Sequence, residues 1–174
     1  MTGLNVLSRY QTEITLVKEH MIEKIVSGGQ TGVDRGALDA ALDAGFPCGG
    51  WCPPGRQAED GAIPDRYPLQ CLEQGGYRQR TRRNVIDSDG TLIVHHNRLS
   101  GGTRLTLEFC VEQHKPFVLI DAAAVSAQRA TDLLGDFIEK NAIRVLNVAG
   151  PRESGWHGAR GYTTELIRRF LASD

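Results

Sequence analysis

Three short stretches of the chain combine glycine with hydroxyl, amide or guanidinium side chains. They are Ser27, Gly28, Gly29, Gln30, Thr31 and Gly32; Ser100, Gly101, Gly102 and Thr103; and Gly150, Pro151, Arg152, Glu153 and Ser154. Glycine lets main-chain N–H groups come close to a ligand, and Ser or Thr at a helix start either caps the helix or donates to an oxyanion. Any one stretch alone reads as a tight turn. Together, each following an apolar run on the same expected sheet edge, they read as one cleft whose ligand is phosphate or a phosphate-like oxyanion. The first stretch is neither a Walker loop, having no Lys after its glycines, nor a strict dinucleotide fingerprint.

Cationic partners for such an anion are close in sequence. Arg78, Arg80, Arg82 and Arg83 precede a strand-like run. On a helix Arg80 and Asn84 share one face while Arg78 and Arg82 share another, so only part of the cluster can enter one site. Arg56 stands in a proline-rich stretch with Glu59 and Asp60, whose carboxylates could hold hydroxyl groups or solvate a turn. Arg152 and Ser154 are available to an anion in the third stretch. Trp51 and Trp156 flank glycine-rich segments and could stack on a flat heterocycle or fill the core. Asp34 opens a helix, where a carboxylate complements the dipole without any ligand. His95 and His96 at a strand end are expected to point to opposite faces, so that only one reaches a cleft. No nucleophile elbow or zinc-type histidine spacing is present, and Cys48 and Cys52 lack a second pair that would complete a metal site.

The elements that must position these residues follow from the hydrophobic period. Residues 22–26 form a β-branched run, after which Val33, Ala37, Ala40, Ala41 and Ala44 recur at helical spacing until Gly45. Residues 46–76 are proline-rich and irregular, with a short strand expected at 47–51. A helix at 78–87, a strand at 91–95, a helix through Leu105, Phe109 and Glu112 and a strand at 117–120 come next. Ala130, Leu133, Leu134, Phe137 and Ile138 form an amphipathic stripe, residues 144–149 a further strand, and Tyr162, Leu166, Ile167 and Phe170 a closing helix. Strands alternating with helices predict an α/β, Rossmann-like three-layer sandwich with a mostly parallel sheet covered on both faces. Residues 21–174 make the single domain, and residues 1–20 read as an N-terminal extension; Val6, Tyr10, Ile14 and Val17 at helical spacing support a packed helix instead.

With 174 residues and a formal net charge of -1, the chain lacks the electrostatic footprint of a duplex-DNA binder or polybasic membrane protein. No apolar run approaches the roughly 20 residues that span a bilayer, and no secretory signal opens the chain. A cytoplasmic protein without a membrane partner is the expectation, with its four cysteines reduced.

Four motifs in order carry a family likeness: S-G-G-Q-T-G-V-D-R at 27–35, G-W-C-P-P-G-R with A-E-D-G at 50–61, N-V-I-D-S-D-G-T-L at 84–92 and A-G-P-R at 149–152. Over residues 21–171 the chain resembles the bacterial "putative molybdenum carrier" family. That family shares a Rossmann-like superfamily with the Lonely Guy phosphoribohydrolases, the molybdenum cofactor carrier proteins and the DNA-processing protein of transformation. The resemblance implies a nucleotide-like or phosphorylated ligand and a homo-oligomer, dimer or tetramer. It also implies that Arg80 and Glu108 stand where the hydrolases keep a catalytic pair, although Ser100 replaces a leading proline and a third glycine is absent from the loop.

The expected function is that of a binding or carrier protein for an anionic ligand, molybdenum cofactor or molybdate. Gly28, Gly29, Gln30, Thr31, Gly32, Arg56, Arg80, Asn84, Ser100, Gly101, Gly102, Thr103, Gly150 and Arg152 are its expected ligand-binding residues, with no resident metal. The alternative is a nucleoside-monophosphate phosphoribohydrolase using Arg80 and Glu108. A single-stranded nucleic-acid module is disfavoured by the near-neutral charge and the lack of interleaved aromatics.

Overall fold

The computed structural model describes residues 22–173, so the reading of residues 1–20 falls outside the described residues. Five parallel strands form the central sheet in the order β2, β1, β9, β7, β8: β1 (Lys24–Val26), β2 (Cys48–Gly49), β7 (Gly90–His95), β8 (Phe117–Asp121) and β9 (Val145–Ala149). Helices α1 (Val33–Asp43), α4 (Ala127–Asn141) and α5 (Ala159–Ser173) cover one face, and α2 (Tyr77–Ile86) and α3 (Gly101–Glu112) the other. The side-chain alternation of β7 shows both layers, because Leu92 and Val94 join the cluster under α1, α4 and α5 while Ile93 joins Val85, Phe109 and Cys110 under α2 and α3. This is the predicted Rossmann-like sandwich. The stripe on α4 packs as its spacing requires, with Ala130, Leu134, Phe137 and Ile138 buried. Ser126 caps its N-terminus through the Arg129 N–H, and Ala142 ends it in the left-handed region.

The proline-rich excursion is more ordered than its composition suggests. The strand expected at 47–51 divides into β2 and β3 (Trp51–Cys52), and β3 leaves the main sheet to pair in parallel with β6 (Gln70–Cys71). Gly50 makes the break: its φ is 128°, and a Cβ there would sit 2.2 Å from the Ser27 carbonyl oxygen. Between them β4 (Gln57–Ala58) and β5 (Gly61–Ala62) pair antiparallel. Arg56 organises the segment, its guanidinium donating to the carbonyls of Ile63, Pro64, Tyr67 and Leu69 at 2.9–3.2 Å. Below it Leu38, Cys52, Ile63, Tyr67 and Leu69 make a separate small core against α1. At burial of roughly 1.5–3 kcal/mol per large apolar side chain, this core is enough to hold an excursion with few ladder hydrogen bonds.

Candidate functional site

Strands β1, β9 and β7 are neighbours and parallel, so the loops that leave their carboxyl ends emerge side by side. They surround a cleft of about 410 Å³ lined by Gln30 and Asp34, by parts of the segments 95–106 and 149–156, and by Tyr77, Arg80 and Thr81 of α2. All three glycine-rich stretches thus contribute to one cavity of the size that holds a cofactor.

One wall is built around a buried ion pair. Asp34 on the first turn of α1 accepts from Arg80 Nη1 at 3.1 Å and from the Gln30 main-chain N–H at 3.2 Å. Burial pushes the Asp34 carboxyl above the usual carboxylate range, against the pull of the Arg80 guanidinium and these hydrogen bonds. Desolvation and attraction nearly offset in such a pair, so its main effect is to fix the guanidinium. Gln30 is fixed equally well. Its Oε1 accepts from the N–H groups of Thr31 and Glu59 at 3.1 and 2.9 Å, which leaves the Nε2 donor. Gln30 Nε2 and Arg80 Nε are buried without a hydrogen-bond partner, as is His95 Nδ1, and all three residues line the cleft.

The opposite wall is aromatic and cationic. His96 stacks on Trp156 with ring centroids 4.9 Å apart, and Trp156 leans on Tyr162 at 5.6 Å. Arg152 lies over the Tyr77 ring at 4.9 Å, and Arg98 adds a further positive charge to the lining. Both histidines line the cleft, contrary to the expectation of opposite faces. The strand ends at His95, and Asn97 at φ 61° turns the chain, so strand alternation no longer governs His96. Asp121 accepts from the N–H groups of Asn97 and Ala123, holding this turn, and these bonds keep its carboxyl below the ordinary range.

The model of the circularly permutated YpsA SLOG family matches residues 25–171. The chain belongs to that family. A crystal structure from Syntrophus aciditrophicus SB, of a protein named "Putative molybdenum carrier protein", is similar at 44% identity with a TM-score of 0.84, over 87% of this chain and 96% of that one. No curated protein matches.

In this SLOG-family chain the expected ligand-facing residues divide. Gln30, Arg80, Ser100, Gly101, Gly102, Thr103, Gly150 and Arg152 line the cleft together. Gly28, Gly29 and Gly32 are buried against protein instead. Thr31 hydrogen-bonds Glu59, which also accepts from Ser154 Oγ at 2.5 Å, so that one carboxylate ties the first loop to the third. Burial alone would raise Glu59, but the Ser154 and Thr31 hydrogen bonds hold it below the usual range. Asp60 is likewise held low by the paired hydrogen bonds of Arg35, at 2.5 and 2.8 Å. Arg56 serves the carbonyl cage described above. Asn84 clasps the Trp51 main chain with bonds of 2.8 and 3.0 Å, beside a smaller cavity of about 240 Å³. Glu108 is exposed, paired with Arg104 at 3.1 Å, and is not among the cleft residues. Of the arginine cluster only Arg80 enters: Arg78 covers Phe109, Arg82 meets Glu112, and Arg83 pairs with Asp87.

Asp34, Tyr77, His96, Arg98 and Trp156 also line the cleft. His95 and His96 are named at their strand end from sequence, whereas Arg98 was missed although the same strand-end position could have found it, and Tyr77 precedes the expected start of its helix and carries no such signal. Among the described residues no group of three or more His, Cys, Asp or Glu is placed to hold a metal ion, and no helix is long and apolar enough to cross a membrane.

Proposed function

We propose that the cleft binds an anionic, phosphorylated ligand and that the protein carries it without turnover, the molybdenum cofactor being the cargo that fits best. The observation that supports this reading is that three residues lining the cleft each hold a buried nitrogen without a hydrogen-bond partner, Gln30 Nε2, Arg80 Nε and His95 Nδ1, the last 3.9 Å from the Asp121 carboxylate. A buried donor left unmade costs about 1–3 kcal/mol, so acceptor oxygens of a ligand recover a deficit that the protein leaves open. The free first-turn amides of α3 at Gly101, Gly102 and Thr103 add positive potential from the neighbouring side. Arg98 and Arg152 supply charge for a terminal phosphate. The Trp156 and His96 stack offers a flat surface to a fused pterin. Molybdate alone would leave most of the 410 Å³ empty, which favours the larger cargo.

The hydrolase reading requires Glu108 at the reacting bond, and this side chain is exposed and paired elsewhere; binding is therefore preferred over turnover. A cytoplasmic homo-oligomer is part of the same proposal. Calorimetry with the isolated cofactor, molybdate and AMP tests it: the cofactor is expected to bind in the micromolar range, at least tenfold tighter than molybdate. Arg98→Ala combined with Arg152→Ala is expected to weaken it by about 2–3 kcal/mol. Failure of all three compounds to bind below about 1 mM, or release of adenine from AMP, rejects the carrier reading.

A further inference from the structure

In the β3–β6 pair Cys52 stands directly opposite Cys71, and their Sγ atoms are 3.4 Å apart. Paired strands run about 4.8 Å apart, within the Cα separation of about 4.4–6.8 Å that a disulfide spans. Closing the remaining gap to a bond of about 2.05 Å requires side-chain rotation and no strand movement. The two thiols differ in access: Cys52 is fully buried in the small core, and Cys71 is exposed.

We propose that Cys52 and Cys71 form a reversible dithiol/disulfide couple whose oxidant is a small-molecule disulfide of the glutathione type. The exposed Cys71 thiolate attacks one sulfur of the oxidant, breaking its S–S bond, releasing one thiolate and forming a mixed disulfide. Cys52 then gives up its proton and attacks the Cys71 sulfur, which expels the second thiolate. Two protein thiols and one small disulfide become one protein disulfide and two small thiols, two electrons having passed to the oxidant. Burial, followed by the hydrogen bond with Cys71, pushes the Cys52 thiol up to about 11, so the exposed Cys71 is the thiol that meets the oxidant first, and Cys52 reacts through its 3.4 Å proximity to the Cys71 sulfur.

The bond would close a loop through residues 53–70, the segment that carries the Arg56 cage and places Glu59 and Asp60 against Thr31, Ser154 and Arg35. Oxidation thereby stiffens the buttress behind the first loop of the cleft. It does not depend on which ligand the cleft holds.

Incubation of the purified full chain with oxidised glutathione, followed by intact mass, thiol titration and peptide mapping, tests the couple. The expected result is loss of two hydrogens and of two of the four thiols, a peptide joining Cys52 to Cys71, and a rise in Tm on the order of 5–10 °C, all reversed by a dithiol reductant. Cys71→Ser is expected to keep the Tm of the reduced protein and lose the response. Cys52→Ser is expected to retain one glutathione on Cys71; should that variant not fold, Cys71→Ser and the peptide map decide alone. Glutathione persisting on wild-type Cys71, a different cysteine pair, or four thiols unchanged after incubation overturns the proposal.

Discussion

The loops at 27–32 and 100–103 have similar compositions and follow strands of the same sheet, yet they use glycine in opposite ways. In the first, the space beside each glycine is filled by protein. A Cβ on Gly28 would lie 1.6 Å from Arg80 Nη1, one on Gly29 2.3 Å from Leu69, and one on Gly32 2.4 Å from the Pro151 carbonyl oxygen. In the second, Gly101 and Gly102 have nothing within 4 Å of that position. The helices behind them differ accordingly. The first amide of α1, on Val33, donates to Pro151 at 3.2 Å, whereas the N-terminus of α3 borders the cleft. Glycine in the first loop lets side chains and other loops come close, and Gln30, Asp34 and Arg80 line the cleft in its place. In the second loop the bare backbone itself faces the cleft.

Substitutions at matched positions are the most direct way to break this contrast. Gly32→Ala forces a Cβ into the main chain of Pro151, Arg152 and Glu153 at φ 77°, and we expect a loss of about 3 kcal/mol, or a Tm drop of roughly 10 °C, in thermal denaturation. Gly28→Ala meets only the end of a side chain, but displacing the guanidinium strips Asp34 of its buried partner. It should cost about 2 kcal/mol and abolish ligand binding by calorimetry. Retention of full affinity would show that Arg80 is not a ligand group. Gly102→Ala should leave stability unchanged or raise it by up to about 1 kcal/mol, since alanine favours the helix, while narrowing the cleft and weakening the ligand. A destabilisation of the size expected at Gly28 would erase the distinction between the loops.

The smallest effect sharpens the comparison by pH. Glu59 and Asp60, which brace the first loop, have lowered carboxyls in the folded protein. Groups of this kind contribute stability that is present above the unfolded carboxylate range near pH 4 and is lost as pH falls through their folded values. Both are largely exposed, so solvent screens the contribution. A shallow decline in Tm below about pH 4 is expected, and Glu59→Gln should flatten it. Equal slopes in wild type and variant would remove Glu59 from the brace.

Most of the fold could be read from the sequence because its elements obey one period each. The stripe on α4 and the apolar run of β7 leave little choice of partner face, and the alternation of elements dictates a parallel sheet. The two-residue strands β3 and β6 were beyond such reading, since no period can be detected in two residues and their pairing depends on the Gly50 turn and the Arg56 cage. Strand-end position accounts for residues of all three loops meeting at one cleft. Composition alone could not say whether a glycine's open side meets ligand or protein, which only the long-range approach of Arg80 or Leu69 decides. The role of Glu108 came from the family resemblance and not from its own spacing, and in the structure the side chain is exposed, paired with Arg104 and outside the cleft lining.

The central place of β9 constrains how the chain is made. Until residues 145–149 leave the ribosome, β1 and β2 have no hydrogen-bonded link to β7 and β8. At translation speeds of about 5–20 residues per second, the nascent polypeptide holds two unjoined half-sheets with exposed inner edges for several seconds. A stop codon before Val145 should yield an aggregation-prone fragment in which the β1–β2 and β7–β8 pairs lack the strand that joins them.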